Sequence, residues 1–137
     1  MLDIPVYMGV NAPKEHQRVI AKLTARLYWL YQEKMIEVEP LPEVMINESQ
    51  TSPTPDIILF SEEEYMNKVI IEITIPSTFK KDFAKVETLV EEYEVEEGFV
   101  YDYIKFRWRK YKNGVGEIFD NPSFCDTIGY DLNDFVK

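Results

Sequence analysis

The chain has 137 residues and a formal net charge of −10; 45% of its residues are hydrophobic, 29% charged and 14% aromatic. That length and balance predict one folded domain, residues 1–137, and argue against a disordered chain. No apolar run approaches the roughly 20 residues that a bilayer-spanning helix needs, and the negative charge works against nonspecific attraction to nucleic acid, which is largely a Lys/Arg effect.

Residues 1–12 read as an extended lead-in without the basic and apolar regions of a signal peptide. With a lone cysteine, Cys125, this predicts a cytoplasmic protein. Asn11-Ala12-Pro13 is a helix-start signal, and Ile20, Leu23, Leu27, Leu30 and Tyr31 recur at helical spacing, so a helix is predicted over residues 13–33. Beside the leucines, Tyr28, Trp29 and Tyr31 read as core or as a dimer surface. Residues 35–38 read as a first strand, interrupted by Pro40 and Pro42, and residues 43–47 as a second.

A polar loop bearing Pro53 and Pro55 leads to the apolar run of residues 56–60, then an acidic turn at 61–64. Residues 68–75 form the best strand, apolar on both faces as a covered central strand should be. Pro76-Ser77-Thr78 opens a second helix over about 79–94, with Phe79, Phe83, Val86, Val90 and Tyr93 on one side. Residues 99–103 and 104–112 read as strands, Asn113-Gly114 as a hairpin turn, residues 115–119 as its return strand and residues 131–136 as a short helix. The order of helix, strands, helix, strands predicts a mixed α/β fold.

Chemistry concentrates at Asp56 and Glu72. Asp56 stands where a loop enters an apolar strand, and Glu72 interrupts the next one. A carboxylate in such a run is costly unless it is paired or bound to a metal. Ile71 and Ile73 bracket Glu72 and point to the other face by the period of two. With adjacent strands, the two carboxylates can meet and form a hard-cation site for Mg²⁺ or Mn²⁺. Such a cation activates water and stabilises charge on a phosphate. A lysine beside them would hold the phosphate or help deprotonate the water. Its expected place, two residues after Glu72, is taken by Thr74; Lys80, Lys81 and Lys85 follow on the next helix.

Pro55-Asp56, Ile71-Glu72-Ile73, Pro76-Ser77-Thr78, then Asp82 and Lys85, resemble the Uma family of candidate endonucleases, within the PD-(D/E)XK restriction-endonuclease-like superfamily. His16 before a leucine-rich helix, Gly98-Phe-Val-Tyr-Asp102 and Gly129-Tyr-Asp-Leu132 extend the resemblance over residues 13–135. It implies a restriction-endonuclease-like central mixed sheet flanked by helices and Mg²⁺-dependent cleavage of DNA. Asp56 and Glu72 would be metal ligands and Lys85 the displaced lysine. Glu15 or His16 would approach the site from the first helix. A homodimer would supply the two sites that double-strand cleavage needs.

Lys105, Arg107 and Arg109 alternate with Phe106 and Trp108, which on a strand puts three cations on one face. They read as phosphate contacts beside the site or, more simply, as a solvated hairpin face. Glu87, Glu91, Glu92, Glu94, Glu96 and Glu97 read as a solvated helix face and its exit. Three functions remain: a metal-dependent nuclease, a catalytically silent module of that fold, and an unrelated α+β protein whose Glu72 is merely salt-bridged.

Overall fold

The structure is a computed structural model that describes residues 13–47 and 52–137. The lead-in, the Asn11-Ala12 part of the helix-start signal and residues 48–51 of the polar loop lie outside the described residues. The elements are α1 (Lys14–Gln32), β1 (Glu39–Pro42), β2 (Ile57–Ser61), β3 (Met66–Thr74), α2 (Phe79–Glu92), β4 (Glu97–Asp102), β5 (Arg107–Lys112), β6 (Gly116–Ile118), β7 (Phe124–Cys125) and β8 (Tyr130–Asp131). Short 3₁₀ turns at Pro76–Thr78 and Leu132–Phe135 enter α2 and close the chain.

Strands β1 to β6 form one sheet in sequence order. Every neighbouring pair is antiparallel except β3 and β4, which run parallel and are joined through α2. A parallel pair requires such a crossover. Alternation along β3 then sorts its side chains: Val69, Ile71 and Ile73 join the core beneath α1, with Leu23, Leu27, Phe99 and Trp108. Ile70 joins the core beneath α2, with Ile58, Phe83, Val86 and Val100. The helix α2 lies directly on β4, because a Cβ at Gly98 would stand 2.4 Å from Val86 Cγ1 and 2.7 Å from Val90 Cγ2.

Several sequence expectations are corrected. Residues 35–38 and 43–47 are not strands; the first strand is Glu39–Pro42 and runs through both prolines. Pro40 and Pro42 are two apart, so their missing N–H groups fall on one side. The Glu43 N–H, one step further along, donates to Asp56 O at 3.0 Å, so the proline side is the outer edge, where proline is tolerated. Residues 103–106 form a turn between β4 and β5. Lys105 is therefore off the strand, and only Arg107 and Arg109 share its face. Of the three α1 aromatics, only Tyr31 packs on the core; Tyr28 and Trp29 are exposed. The predicted short terminal helix is present as the 3₁₀ turn Leu132–Phe135; only its first residue, Asp131, lies in β8, which pairs with a strand that the sequence did not reveal, β7.

Glu97 is the largest departure from its predicted solvated place: it is 1% exposed. Its Oε1 lies 3.0 Å from Lys110 Nζ, itself 2% exposed. It also accepts the backbone N–H groups of Asp126 at 3.0 Å and Thr127 at 2.7 Å. Lys110 donates in turn to Phe124 O at 2.7 Å and Asp126 Oδ2 at 3.0 Å. This network fastens the segment carrying β7 to the sheet. The sulfur of Cys125 is enclosed within it, 3.6 Å from Glu97 Oε2, and burial pushes the thiol's pKa well up.

Two stability predictions follow from this packing. Gly98→Ala should cost about 1–3 kcal/mol in urea unfolding, because the new methyl meets two branched buried side chains. Lys110→Met should cost about 3–5 kcal/mol, because it leaves Glu97 buried without its cation; the double variant Glu97→Gln/Lys110→Met should recover much of that loss.

Candidate functional site

The antiparallel register Ile57↔Ile71 carries one step further to bring Asp56 opposite Glu72. Each carboxylate is then tied to the other's strand. The Asp56 N–H donates to Glu72 Oε1 at 2.9 Å, and the Ile73 N–H donates to Asp56 Oδ2 at 2.7 Å. The two groups therefore lie together at the C-terminal end of β3, the end where open α/β sheets bind ligands. Separation of the two carboxylates would have favoured the unrelated α+β reading; their meeting does not. Glu72 is salt-bridged, as that reading also supposed, but its partner is Lys85 on α2.

Both helices begin at this end. On α1, His16 Nε2 lies 3.0 Å from Ile73 O and 3.5 Å from Asp56 Oδ2. Its hydrogen bond with Asp56 holds its pKa above the ordinary value, against the opposing effect of burial. Its Nδ1 is buried and has no hydrogen-bond partner among the described residues. Glu15, by contrast, is exposed and pairs with Arg18. On α2, Lys85 Nζ donates to Glu72 Oε2 at 3.2 Å. Lys80 and Lys81 are exposed in the first turn of α2 and do not reach either carboxylate.

Thr74 does not stand in for a lysine. Its hydroxyl donates to Asp82 Oδ2 at 2.5 Å and is hydrogen-bonded to Thr78 Oγ1 at 2.7 Å. These bonds fix the entry of α2 against the end of β3 and so set where Lys85, two turns in, can reach. Asp102, which the sequence offered only as part of a motif, pairs with Thr74 in the β3–β4 register and is fully buried. It accepts the N–H groups of Ile104 at 3.0 Å and Lys105 at 3.2 Å, and the Arg107 guanidinium at 2.9 Å. Arg107 and Arg109 lie over the rings of Phe79 and Phe83, and Arg109 also makes a two-pronged pair with Glu117. Both arginines are thus held on the α2 side of the sheet.

Burial and the neighbouring Asp56 charge push the Glu72 pKa up to about 7, and Lys85 offsets only part of this. Two carboxylates and the Ile73 carbonyl, all hard oxygen donors, suit a Mg²⁺ ion that keeps several waters. Among the described residues no three His, Cys, Asp or Glu side chains gather into a fuller metal-ligand set, so a cation here would take its remaining ligands from water or substrate. A cavity of about 680 Å³ lies elsewhere, toward the β1–β2 edge, and is lined by Leu41, Ile46, Ile58 and Phe60 among others.

Comparisons with known proteins agree with this architecture. The chain is similar in structure to a candidate nuclease belonging to DUF820 from Anabaena variabilis ATCC 29413. The two are 15% identical, the likeness covers 91% of this chain and 82% of that one, and the TM-score is 0.68. At this identity the likeness shows a shared fold: a mixed six-stranded sheet flanked by helices. No protein-family model matches the chain, and no curated protein matches it by sequence. Among the described residues no helix is long and apolar enough to cross a membrane.

The raised Glu72 pKa predicts a pH dependence of stability. Between 4.5 and about 7 the folded protein holds a proton that the unfolded chain has released, so this carboxyl costs stability as pH rises through that window. His16 acts in the same direction: its extra stability is present below 6.5 and is lost as pH rises through its folded value. Glu72→Gln removes the first contribution. Relative to wild type, its melting temperature should gain at about pH 8 compared with about pH 4.5; an equal difference at both would contradict a buried, proton-holding Glu72.

Proposed function

We propose that this protein is a divalent-cation-dependent nuclease of the PD-(D/E)XK type, related to the Uma family, that hydrolyses phosphodiester bonds of DNA in the cytoplasm. The supporting observation is the meeting of Asp56, Glu72 and Lys85 across two strands and a helix. In this reading Asp56 and Glu72 hold Mg²⁺ or Mn²⁺, with the Ile73 carbonyl beside them. When bound, the cation lowers the pKa of its water and stabilises charge developing on the phosphate. The other work falls to the chain's own groups. Glu72 must give up its proton to become a ligand, which couples cation binding to proton release. Its ammonium partner, Lys85, is 44% exposed on its side chain, so it can turn from Glu72 toward a phosphate oxygen or the attacking water. Thr74, Thr78 and Asp82 hold the helix that carries it. His16 restrains Asp56 and the Ile73 carbonyl from α1, and the exposed Lys80 and Lys81 offer phosphate contacts at a helix N-terminus. Pairing of two copies would place two such sites on one duplex.

A second reading, a silent module of the same fold, draws on Thr74 in the usual lysine position and on the proton that Glu72 retains near neutrality. One set of experiments separates the two. Mg²⁺ or Mn²⁺ should support nicking of supercoiled plasmid; Asp56→Ala should abolish it, and Lys85→Ala should lower its rate by roughly 100-fold or more. Mn²⁺ should also raise the melting temperature of wild type but not of Glu72→Ala. Folded protein that is neither active nor stabilised by Mn²⁺ would establish the silent module instead.

A further inference from the structure

The four-residue turn between β4 and β5, residues 103–106, stands at the same end of the sheet as the two carboxylates. The Tyr103 N–H donates to Thr74 O at 3.3 Å, and the Tyr103 ring meets His16 edge-on at 6.3 Å. The next three residues turn outward. Ile104 is 53% exposed and Phe106 76%, with Lys105 between them.

Phe106 is an expensive residue for its position. Its φ is +56°, in the left-handed region that favours Gly or Asn and penalises bulky side chains. Tyr65, also at a positive φ and exposed, has a packing reason, since its ring meets Phe60 edge-on at 5.2 Å. Among the described residues Phe106 has no ring or cation partner. Folding therefore gains nothing evident from a phenylalanine here.

The turn is nonetheless rigidly built. Buried Asp102 accepts two of its backbone N–H groups and binds the Arg107 guanidinium where the chain re-enters the sheet. An apolar tip held in place by a fully buried carboxylate is preorganised for contact rather than collapsed onto the protein.

Charge identifies what it would contact. The chain is acidic, and the cations of the central strands and of the middle of α2 are neutralised: Lys68, Lys85, Arg107, Arg109, Lys110 and Lys112 all pair with acids. Among the described cations that make no ion pair, Lys22, Arg26 and Lys34 lie along or just beyond α1, whereas Lys14, Lys80, Lys81 and Lys105 stand in the first turn of α1, in the first turn of α2 and in this turn, around one end of β3. Unneutralised lysines beside an exposed aromatic make up the combination that binds nucleic-acid strands: backbone attraction plus base stacking.

We infer that the β4–β5 turn is a base-contacting tip, in which Phe106 stacks on a nucleobase, Ile104 packs beside it and Lys105 meets the adjoining phosphate. This rests on the nuclease reading above and deepens it: it names how a strand is seated with one phosphate at Asp56 and Glu72.

The test uses the full chain: binding is measured with Ca²⁺ replacing Mg²⁺, on a fluorescent DNA oligonucleotide that is intact, abasic at one position or labelled with 2-aminopurine, and nicking is measured separately with Mg²⁺. Phe106→Ala should weaken binding by roughly 5- to 150-fold, raise KM for plasmid nicking with kcat largely kept, and abolish the 2-aminopurine signal. Phe106→Asn should show the same binding loss while raising the melting temperature, since it relieves the backbone penalty. Asp56→Ala should do the reverse, losing nicking while keeping affinity. If Phe106→Ala and Phe106→Asn bind and nick as wild type does, the tip is not a base contact, while the nuclease reading stands. A wild type that neither binds nor cleaves DNA overturns both. If the substitutions change sedimentation but not DNA affinity, the tip packs against a second copy and the inference is overturned.

Discussion

The register between β2 and β3 is the constraint on which the rest of the site depends. With Ile57 opposite Ile71, Asp56 falls opposite Glu72, and each strand's carboxylate can accept a backbone N–H of the other. A slip of one residue would send Glu72 into the core beneath α1 and bring an isoleucine to the site, because side chains alternate between faces. The apolar residues on both sides of β3 prevent that slip: Val69, Ile71 and Ile73 match one core, and Ile70 the other. Burial of hydrophobic surface thereby sets the position of a carboxylate that is itself costly to bury. Both helices are drawn to the same point, α1 through His16 and α2 through Lys85.

How much of this was legible in the sequence depended on whether the signal was local. Asp56 and Glu72 could be found because a carboxylate in a run of isoleucines violates the surrounding pattern. The helix α1 and the strand β3 were legible for the same reason, long runs of consistent period. The residues alone grouped Lys85 with Lys80 and Lys81, and only the family resemblance singled it out, since choosing among them requires knowing how far α2 rotates from its entry. That is set by Thr74, Thr78 and Asp82, contacts that form only in the folded chain. Glu97 was illegible because it ends a run of solvated glutamates. Its partner Lys110 sits on the next strand, inside a basic run that was itself read as solvated. Two residues that each looked exposed bury one another, and nothing in either neighbourhood reveals it. The strands through Pro40 and Pro42 and at Phe124–Cys125 escaped because short edge pairings have too little periodicity to register.

Acidity and nucleic-acid binding need not conflict in this molecule. Net charge is a sum over the surface, whereas attraction is felt locally and falls off over about 10 Å at ordinary salt. The cations of β5 are spent within the fold: Lys110 on Glu97, Arg109 on Glu117, Arg107 on Asp102 and Lys112 on Asp126. Several cations left unpaired elsewhere surround the end of β3, where the N-termini of α1 and α2 add their partial positive charge. Glu87, Glu92 and Glu94 belong to the middle and far end of α2 and its exit. A strand bound as proposed would thus meet an attractive end and a repulsive flank, which would orient it.

The exposed Lys85 ammonium and the raised Glu72 pKa are two consequences of one geometry. A lysine at position 74 would put its ammonium on the same face as Glu72, fixed to the same strand. Thr74 instead gives its hydroxyl to Asp82 and leaves the ammonium to come from Lys85, 44% exposed and reaching inward from a helix. A cation so exposed is screened by water and stabilises the Glu72 carboxylate less than a buried one would. Burial and the Asp56 charge therefore prevail, and Glu72 keeps its proton to about 7. On the reading proposed above, the site near neutrality would stand between two states: closed, with Glu72 protonated, or open to a divalent cation, with Glu72 ionised and Lys85 released. A cation would then supply charge at the point where Lys85 supplies too little, so a threonine rather than a fixed lysine at position 74 would make the carboxylate pair more dependent on a metal.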